Sequence, residues 1–173
     1  MNSNRRNFIR TVGDGFGSGF GEKSGEIVDA YAKAFPGKKP VEIWSMINGN
    51  RQSVVALADA KVKQPAPVYV AWFCWQPPLF DNRMRAFHCS DICFWFFNTD
   101  LMLTHTGGGA RPRRLSEKMS GALAQFMKKG NPDNGGLPSW PEYTTEKGET
   151  MILDDTCEVQ NDPDREARKA LPV

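Results

Sequence analysis

The residue in this sequence best suited to chemistry is His88, one of only two histidines among 173 residues. An imidazole titrates near neutral pH, so it can take up and return a proton during a reaction. His88 stands shortly before the apolar stretch 91–97, which should be buried and should hold the histidine where solid structure begins. That placement suits a general base. A single histidine beside apolar residues also suits packing, and this segment alone does not decide between the two.

The elements around His88 are predicted to belong to an α/β fold. Residues 68–73 form an apolar run bounded by prolines, which indicates a strand apolar on both faces and therefore covered by helices. A loop over 76–85 leads to His88, a short aromatic helix follows, and 115–129 shows the periodicity of an amphipathic helix. The other strand candidate is 150–154. Two strands make a poor sheet, so the edges should pair with another chain or with strands supplied by further polypeptide.

The remaining helices are expected to be scaffold. Helices are predicted over 24–35, 40–47 and 51–63, with Ser24 able to cap the first and Pro40 at the start of the second. A short charged helix is expected within 161–171, capped by Asp162 and lying on a surface.

Other chemistries at the same segment are weaker interpretations. A Cys89–His88 nucleophile pair is disfavoured because adjacent residues rarely point their side chains at each other. A metal site from His88, Cys89, Cys93 and His105 has suitable ligands but no standard spacing, so neither a metal nor a cofactor is expected. The four cysteines contain no C-x-x-C pair, so they are expected to be reduced thiols. The basic cluster at 111–114 is expected to be the solvated start of a helix.

Composition excludes several classes of protein. A chain of this length is one domain by expectation, and 40% hydrophobic with 24% charged residues is ordinary for a globular protein. A net charge of +2 gives no reason to expect binding to nucleic acid or a membrane surface. No apolar run approaches the roughly 20 residues of a spanning helix.

Three motifs in order carry a family resemblance. The His88 segment is followed by Phe126-Met-Lys-Lys-Gly-Asn-Pro132 and then by Trp140-Pro-Glu-Tyr143. This resembles the C-terminal part of the type B carboxylesterases, the α/β-hydrolase family of bacterial para-nitrobenzyl esterases and cholinesterases. Its motifs are G-x-x-H-x-x-E, F-x-x-x-G-x-P-N and W-P-x-Y.

The resemblance implies the C-terminal portion of an α/β-hydrolase fold, a carboxylic ester substrate, and His88 as the base of a Ser-His-Glu triad. Asp91 replaces the motif's glutamate and is expected to charge the N-terminus of the aromatic helix, with Ser90 as its cap.

The sequence departs from that family in lacking the other two triad segments. The nearest approach to the Gly-x-Ser-x-Gly elbow is Ser18, where Phe16 and Phe20 occupy the positions that need glycine. A chain with His88 but without serine and glutamate is expected to be incomplete and inactive alone. A non-catalytic scaffold that self-associates through exposed strand edges, and one half of a split esterase, remain open as alternatives.

The N-terminal residues read differently from the rest. Residues 4–10 resemble a twin-arginine export signal, which implies a bacterial periplasmic or secreted protein, although a flexible basic tail in a cytoplasmic protein fits equally. The sequence is therefore divided into a basic, glycine-rich tail, 1–23, and a carboxylesterase-like segment, 24–173. A signal-like N-terminus directly before a C-terminal esterase region suggests a precursor whose middle is missing.

Overall fold

The computed structural model describes residues 20–172, which contain helices and one three-stranded sheet. The chain divides into two units. One comprises the chain up to Leu57 together with Asp162 onward, and the other is Ala58–Asn161. The predicted boundary between tail and segment, after residue 23, stays a prediction, and the twin-arginine-like residues and Ser18 lie outside the described residues.

The first unit is helical. Its helices are α1 (Ser24–Ala34), α2 (Pro40–Ile47), the first part of α3 (Arg51–Lys61) and the short α7 (Arg165–Arg168). All four helices were predicted, and α1 and α3 end one and two residues earlier than expected. Lys23 rather than Ser24 occupies the N-cap of α1, and the Ser24 hydroxyl donates to the carbonyl of Gly21 at 2.6 Å. The apolar sides of α1, α2 and α7 form one core.

A buried ion network replaces the cap expected at the start of α7. Asp164, not Asp162, is the N-cap residue, and Asp162 has a φ of +40°. The Asp162 carboxylate accepts from Arg168 and, at 2.9 Å, from Arg165. Arg51 at the start of α3 lies 3.2 Å from Asp164. The predicted Asp162 cap was therefore wrong, because these two aspartates are buried and need cationic partners. The helix does have a surface side, on which Glu166 and Lys169 are exposed.

The second unit contains the sheet. Strand β1 (Val70–Phe73) pairs in parallel with β2 (Glu149–Leu153), with Val70 opposite Thr150, and β2 pairs antiparallel with β3 (Glu158–Asn161). The first two strands were predicted, with bounds shifted by one or two residues. Strand β3 was not, since its half-exposed sequence Glu-Val-Gln-Asn has no run of apolar residues.

Three helices of this unit follow β1. They are α4 (Ile92–Trp95), α5 (Leu103–Thr106) and the long α6 (Ala110–Lys129), which begins five residues before the predicted start. Helix α4 packs on α6: Phe94 shares a core with Leu115 and Met119, and the Ser116 hydroxyl donates to the Phe94 carbonyl at 3.0 Å. None of the helices within residues 20–172 has the length and apolar character needed to cross a membrane.

Candidate functional site

His88 lies in a tight turn between β1 and α4. The Ser90 amide donates to the Phe87 carbonyl at 3.0 Å and closes the turn, in which Cys89 has a left-handed φ of +64°. The His88 side chain is exposed, and its ring makes no hydrogen bond within residues 20–172. Both ring nitrogens are therefore free to engage groups that approach from outside this part of the chain.

The turn is anchored directly behind His88. Ser90 is 3% exposed, and the thiol of Cys93, one turn of helix later, donates to the Ser90 carbonyl at 3.5 Å. Asp91 is the N-cap residue of α4 but makes no capping hydrogen bond, because its carboxylate accepts from the Trp95 indole at 3.1 Å. The prediction of a Ser90 cap was wrong: its hydroxyl is buried without a hydrogen-bond partner among the described residues.

A polar network supports the long loop before His88. Arg111, at the start of α6, donates hydrogen bonds of 2.7–3.0 Å to both oxygens of the Asp155 carboxylate. Its guanidinium carbon also lies 4.4 Å from the centre of the Trp75 ring. Arg111 also donates to the Gln76 carbonyl at 3.0 Å, and the Gln76 side chain accepts from Arg85 at 2.8 Å. The hydrogen bonds and charge of Arg111 hold the pKa of Asp155 below its ordinary value against the opposing effect of burial. These contacts tie the start of α6, the β2–β3 turn and the His88 loop together.

Sequence reasoning missed this network. Arg111 was predicted to be part of a solvated basic cluster, and nothing local to 111–114 distinguishes it from Arg113 or Arg114. Only its partner Asp155, 44 residues away, identifies its role. Gln76 carried no signal for the same reason.

The His88 loop carries unusual backbone conformations. Phe80, Asp81 and Asn82 form a left-handed turn with φ between +50° and +57°, and Arg85 has a φ of +53°. For a residue with a Cβ atom, this left-handed backbone conformation costs about 1–2 kcal/mol. Arg85 stands three residues before His88, where the motif of the resembling family carries glycine. The backbone shape that glycine would favour is thus kept with an arginine.

The other chemistry-bearing residues make no hydrogen bond to the His88 ring within residues 20–172. The second histidine, His105, lies on α5 with Nδ1 3.1 Å from the Thr104 hydroxyl and its ring 5.3 Å from that of Phe87. Within residues 20–172, no three His, Cys, Asp or Glu side chains group closely enough to hold a metal ion. Burial raises the pKa of the Cys93 thiol, which disfavours its thiolate form.

An exposed imidazole on a well-anchored turn can act as a proton carrier. It still needs a hydroxyl to deprotonate and a carboxylate to orient it. In the full sequence no serine has glycine both two residues before and two residues after it.

Comparisons with known proteins agree on one family. The carboxylesterase family model matches residues 38–170. Para-nitrobenzyl esterase of Bacillus subtilis (strain 168) is 34% identical over 121 residues, which are 68% of this chain and 24% of that protein. Carboxylesterase 1D of Rattus norvegicus is 37% identical over 60 residues, 35% of this chain and 11% of that protein.

Solved structures give the same result. An esterase from anaerobic Clostridium hathewayi superposes with a TM-score of 0.65 at 31% identity, over 84% of this chain and 28% of that one. A carboxylesterase of Geobacillus stearothermophilus superposes with a TM-score of 0.69 at 26% identity, over 85% and 31%. These structures confirm the expected partial α/β-hydrolase fold.

The matches differ greatly in length from this chain, which spans about a quarter of the Bacillus subtilis esterase and under a third of the two solved esterases. The residues matched by the family model, 38–170, include β1, the His88 turn, α6, β2 and β3. Because the family model matches residues 38–170, more than half of the chain, the chain belongs to the carboxylesterase family.

Proposed function

We propose that this chain provides the general base of a carboxylic ester hydrolase, with His88 as that base. The serine nucleophile and the acid of the triad come from polypeptide beyond these 173 residues, and the chain alone is inactive. The observation that carries the proposal is the state of His88: within the family-matching region, its imidazole is exposed on an anchored turn and lacks a hydrogen-bond partner among the described residues.

The chemistry follows from the properties of an imidazole. His88 takes the proton of a serine hydroxyl as the serine oxygen attacks the ester carbonyl, and the protonated ring is stabilised by the triad carboxylate. The ring then gives that proton to the departing alkoxide, which leaves as alcohol. A second cycle, with water in place of the serine hydroxyl, releases the acid.

The experiment is reconstitution with a nucleophile-bearing segment. The full chain is mixed with the part of the Bacillus subtilis para-nitrobenzyl esterase that precedes its region of similarity, and hydrolysis of p-nitrophenyl acetate is measured. Wild-type chain should restore hydrolysis, whereas His88→Ala should give a rate about a thousandfold or more lower. His105→Ala, which changes the other histidine, is the matched control and should leave the rate close to wild type. Equal rates for wild type and His88→Ala would refute the role of His88.

A further inference from the structure

A cluster of large apolar side chains lies exposed beside His88. It consists of five residues within twelve positions, here called the 92–103 surface: Ile92, Phe96, Phe97, Leu101 and Leu103. Leu101 is 81% exposed and Phe96 67%. Ile92 and Phe96 are joined by a helical hydrogen bond from the Phe96 amide to the Ile92 carbonyl, so they lie on one side of α4.

The short elements that carry these side chains are neighbours. Helix α4 and the 3-10 turn Thr99–Leu101 both pack against α6, and α5 packs against that turn. The exposed side chains are therefore carried by elements that pack next to one another along α6. Arg113 pairs with Asp100 and lies 5.3 Å over the Phe97 ring, which adds a charged border. An apolar centre with a polar border is the usual anatomy of a protein interface.

The size of the surface favours a protein partner. Typical areas of large apolar side chains, multiplied by the exposed fractions of the five residues of the 92–103 surface, give on the order of 500 Å² of exposed apolar surface. That is near the upper limit for a protein without a partner and over half of the roughly 800 Å² that one side of a standard interface buries.

We propose that the 92–103 surface docks the polypeptide that carries the serine nucleophile and the triad acid. This rests on the function proposed above. A serine hydroxyl must come within about 3 Å of the His88 ring. Ile92 opens α4 four residues after His88, so its backbone lies within about 14 Å of the histidine, and polypeptide that brings the serine approaches beside this surface. Solved relatives contain about three times as much chain as the part matched here, so polypeptide of this kind exists in the family.

A second copy of this chain suits the surface less well. It could cover the apolar side chains, but it would bring a second His88 and no Gly-x-Ser-x-Gly serine to the turn. Docking of a second copy is therefore an outcome that the experiment must separate from docking of the nucleophile-bearing segment.

The experiment measures binding separately from catalysis. The full chain is titrated with the same Bacillus subtilis esterase segment, whose competence is established by rescue with that esterase's own C-terminal region. The double variant Phe96→Asp/Leu101→Asp should bind about a hundredfold more weakly, because two apolar side chains that the docked segment would cover are replaced by charge. Met127→Asp is the matched control: Met127 is 78% exposed on α6, outside the surface, and its variant should bind like wild type.

The outcomes separate the two proposals. Circular dichroism should show that all variants keep the wild-type helix content, as expected for exposed positions. His88→Ala that binds normally but restores no hydrolysis supports both proposals, and wild-type chain that binds without restoring hydrolysis refutes only the catalytic one. Failure of wild-type chain to bind the competent segment, or equal binding by the double variant, overturns the docking surface. A stable dimer of the chain alone that Phe96→Asp/Leu101→Asp dissolves assigns the surface to a second copy and also overturns the proposal.

Discussion

At the scale of single residues, the turn that presents His88 is held in a costly shape. Cys89 follows the histidine with a φ of +64°, in the region that only glycine occupies without penalty. Its side chain is exposed, so little packing compensates for the strain. Other contacts therefore hold the histidine in position. They are chiefly the hydrogen bond of the Ser90 amide, which closes the turn, and the burial of Cys93 and Phe94 behind it.

Cys89→Gly should therefore stabilise the chain. Relief of the left-handed strain outweighs the extra freedom that glycine gives the unfolded state, so the free energy of unfolding should rise by about 1 kcal/mol. Cys89→Ala removes the thiol without relieving the strain and is the matched control. Urea denaturation of the three proteins gives the comparison, and a glycine variant no more stable than the alanine variant would contradict the strained turn.

At the scale of elements, α7 is fixed by charges that its sequence does not reveal. Burial alone raises the pKa of Asp162, but hydrogen bonds from Arg168 and Arg165 outweigh burial and hold that pKa below its ordinary value. Burial, followed by the charge of Asp164, raises the pKa of Tyr31 on α1 to about 12. The two aspartates and their arginines thus join the start of α3 and α7 around one buried carboxylate pair.

This network should make the stability of the chain dependent on pH. A carboxylate whose pKa is lowered by folding stabilises the fold above its unfolded pKa of about 3.9, and that contribution is lost as the pH falls through the lower native value. Asp162→Asn should lower the free energy of unfolding at pH 7 by about 3 kcal/mol, because it removes one of the two carboxylates that balance the buried charges of Arg51 and Arg168. The deficit should shrink as the pH falls below about 4.

The control for this variant lies on the same helix. Glu166→Gln breaks an exposed pair with Lys169 and should leave stability almost unchanged at every pH. Thermal unfolding followed across the acid range measures both variants. A deficit for Asp162→Asn that is independent of pH would show that the lost contribution is not the ionised carboxylate.

The elements that sequence reasoning predicted are those whose signal is local. Strand β1 is a continuous apolar run, α6 shows a clear apolar stripe, and the residues of the His88 motif are contiguous. What it missed depends on distant partners: β3 exists through pairing with β2, Arg111 acts through Asp155, and Asp162 through Arg168 and Arg51. The proposed catalytic role of His88 rests on family resemblance, and no pattern around one histidine could have supplied that proposal.

At the scale of the whole molecule, the chain matches one part of a larger enzyme. It spans 24% of the Bacillus subtilis esterase, and it carries the histidine of the family's G-x-x-H-x-x-E motif but not the Gly-x-Ser-x-Gly motif. The chain alone should therefore hydrolyse p-nitrophenyl acetate no faster than its His88→Ala variant, and it should not be labelled by a fluorophosphonate that reacts with activated serines. Hydrolysis that the fluorophosphonate abolishes would show that these 173 residues contain a working nucleophile.

The most direct test of the central claim, that the His88 imidazole carries a proton during ester hydrolysis, is rescue by free imidazole. In the complex with the Bacillus subtilis esterase segment, His88→Ala should lose about three or more powers of ten in rate. After subtraction of the hydrolysis that imidazole catalyses without protein, added imidazole should restore part of that loss, increasingly as the pH rises through the imidazole pKa, and should not accelerate the wild-type complex. A His88→Ala complex that hydrolyses the ester as fast as the wild-type complex without added imidazole would contradict the account.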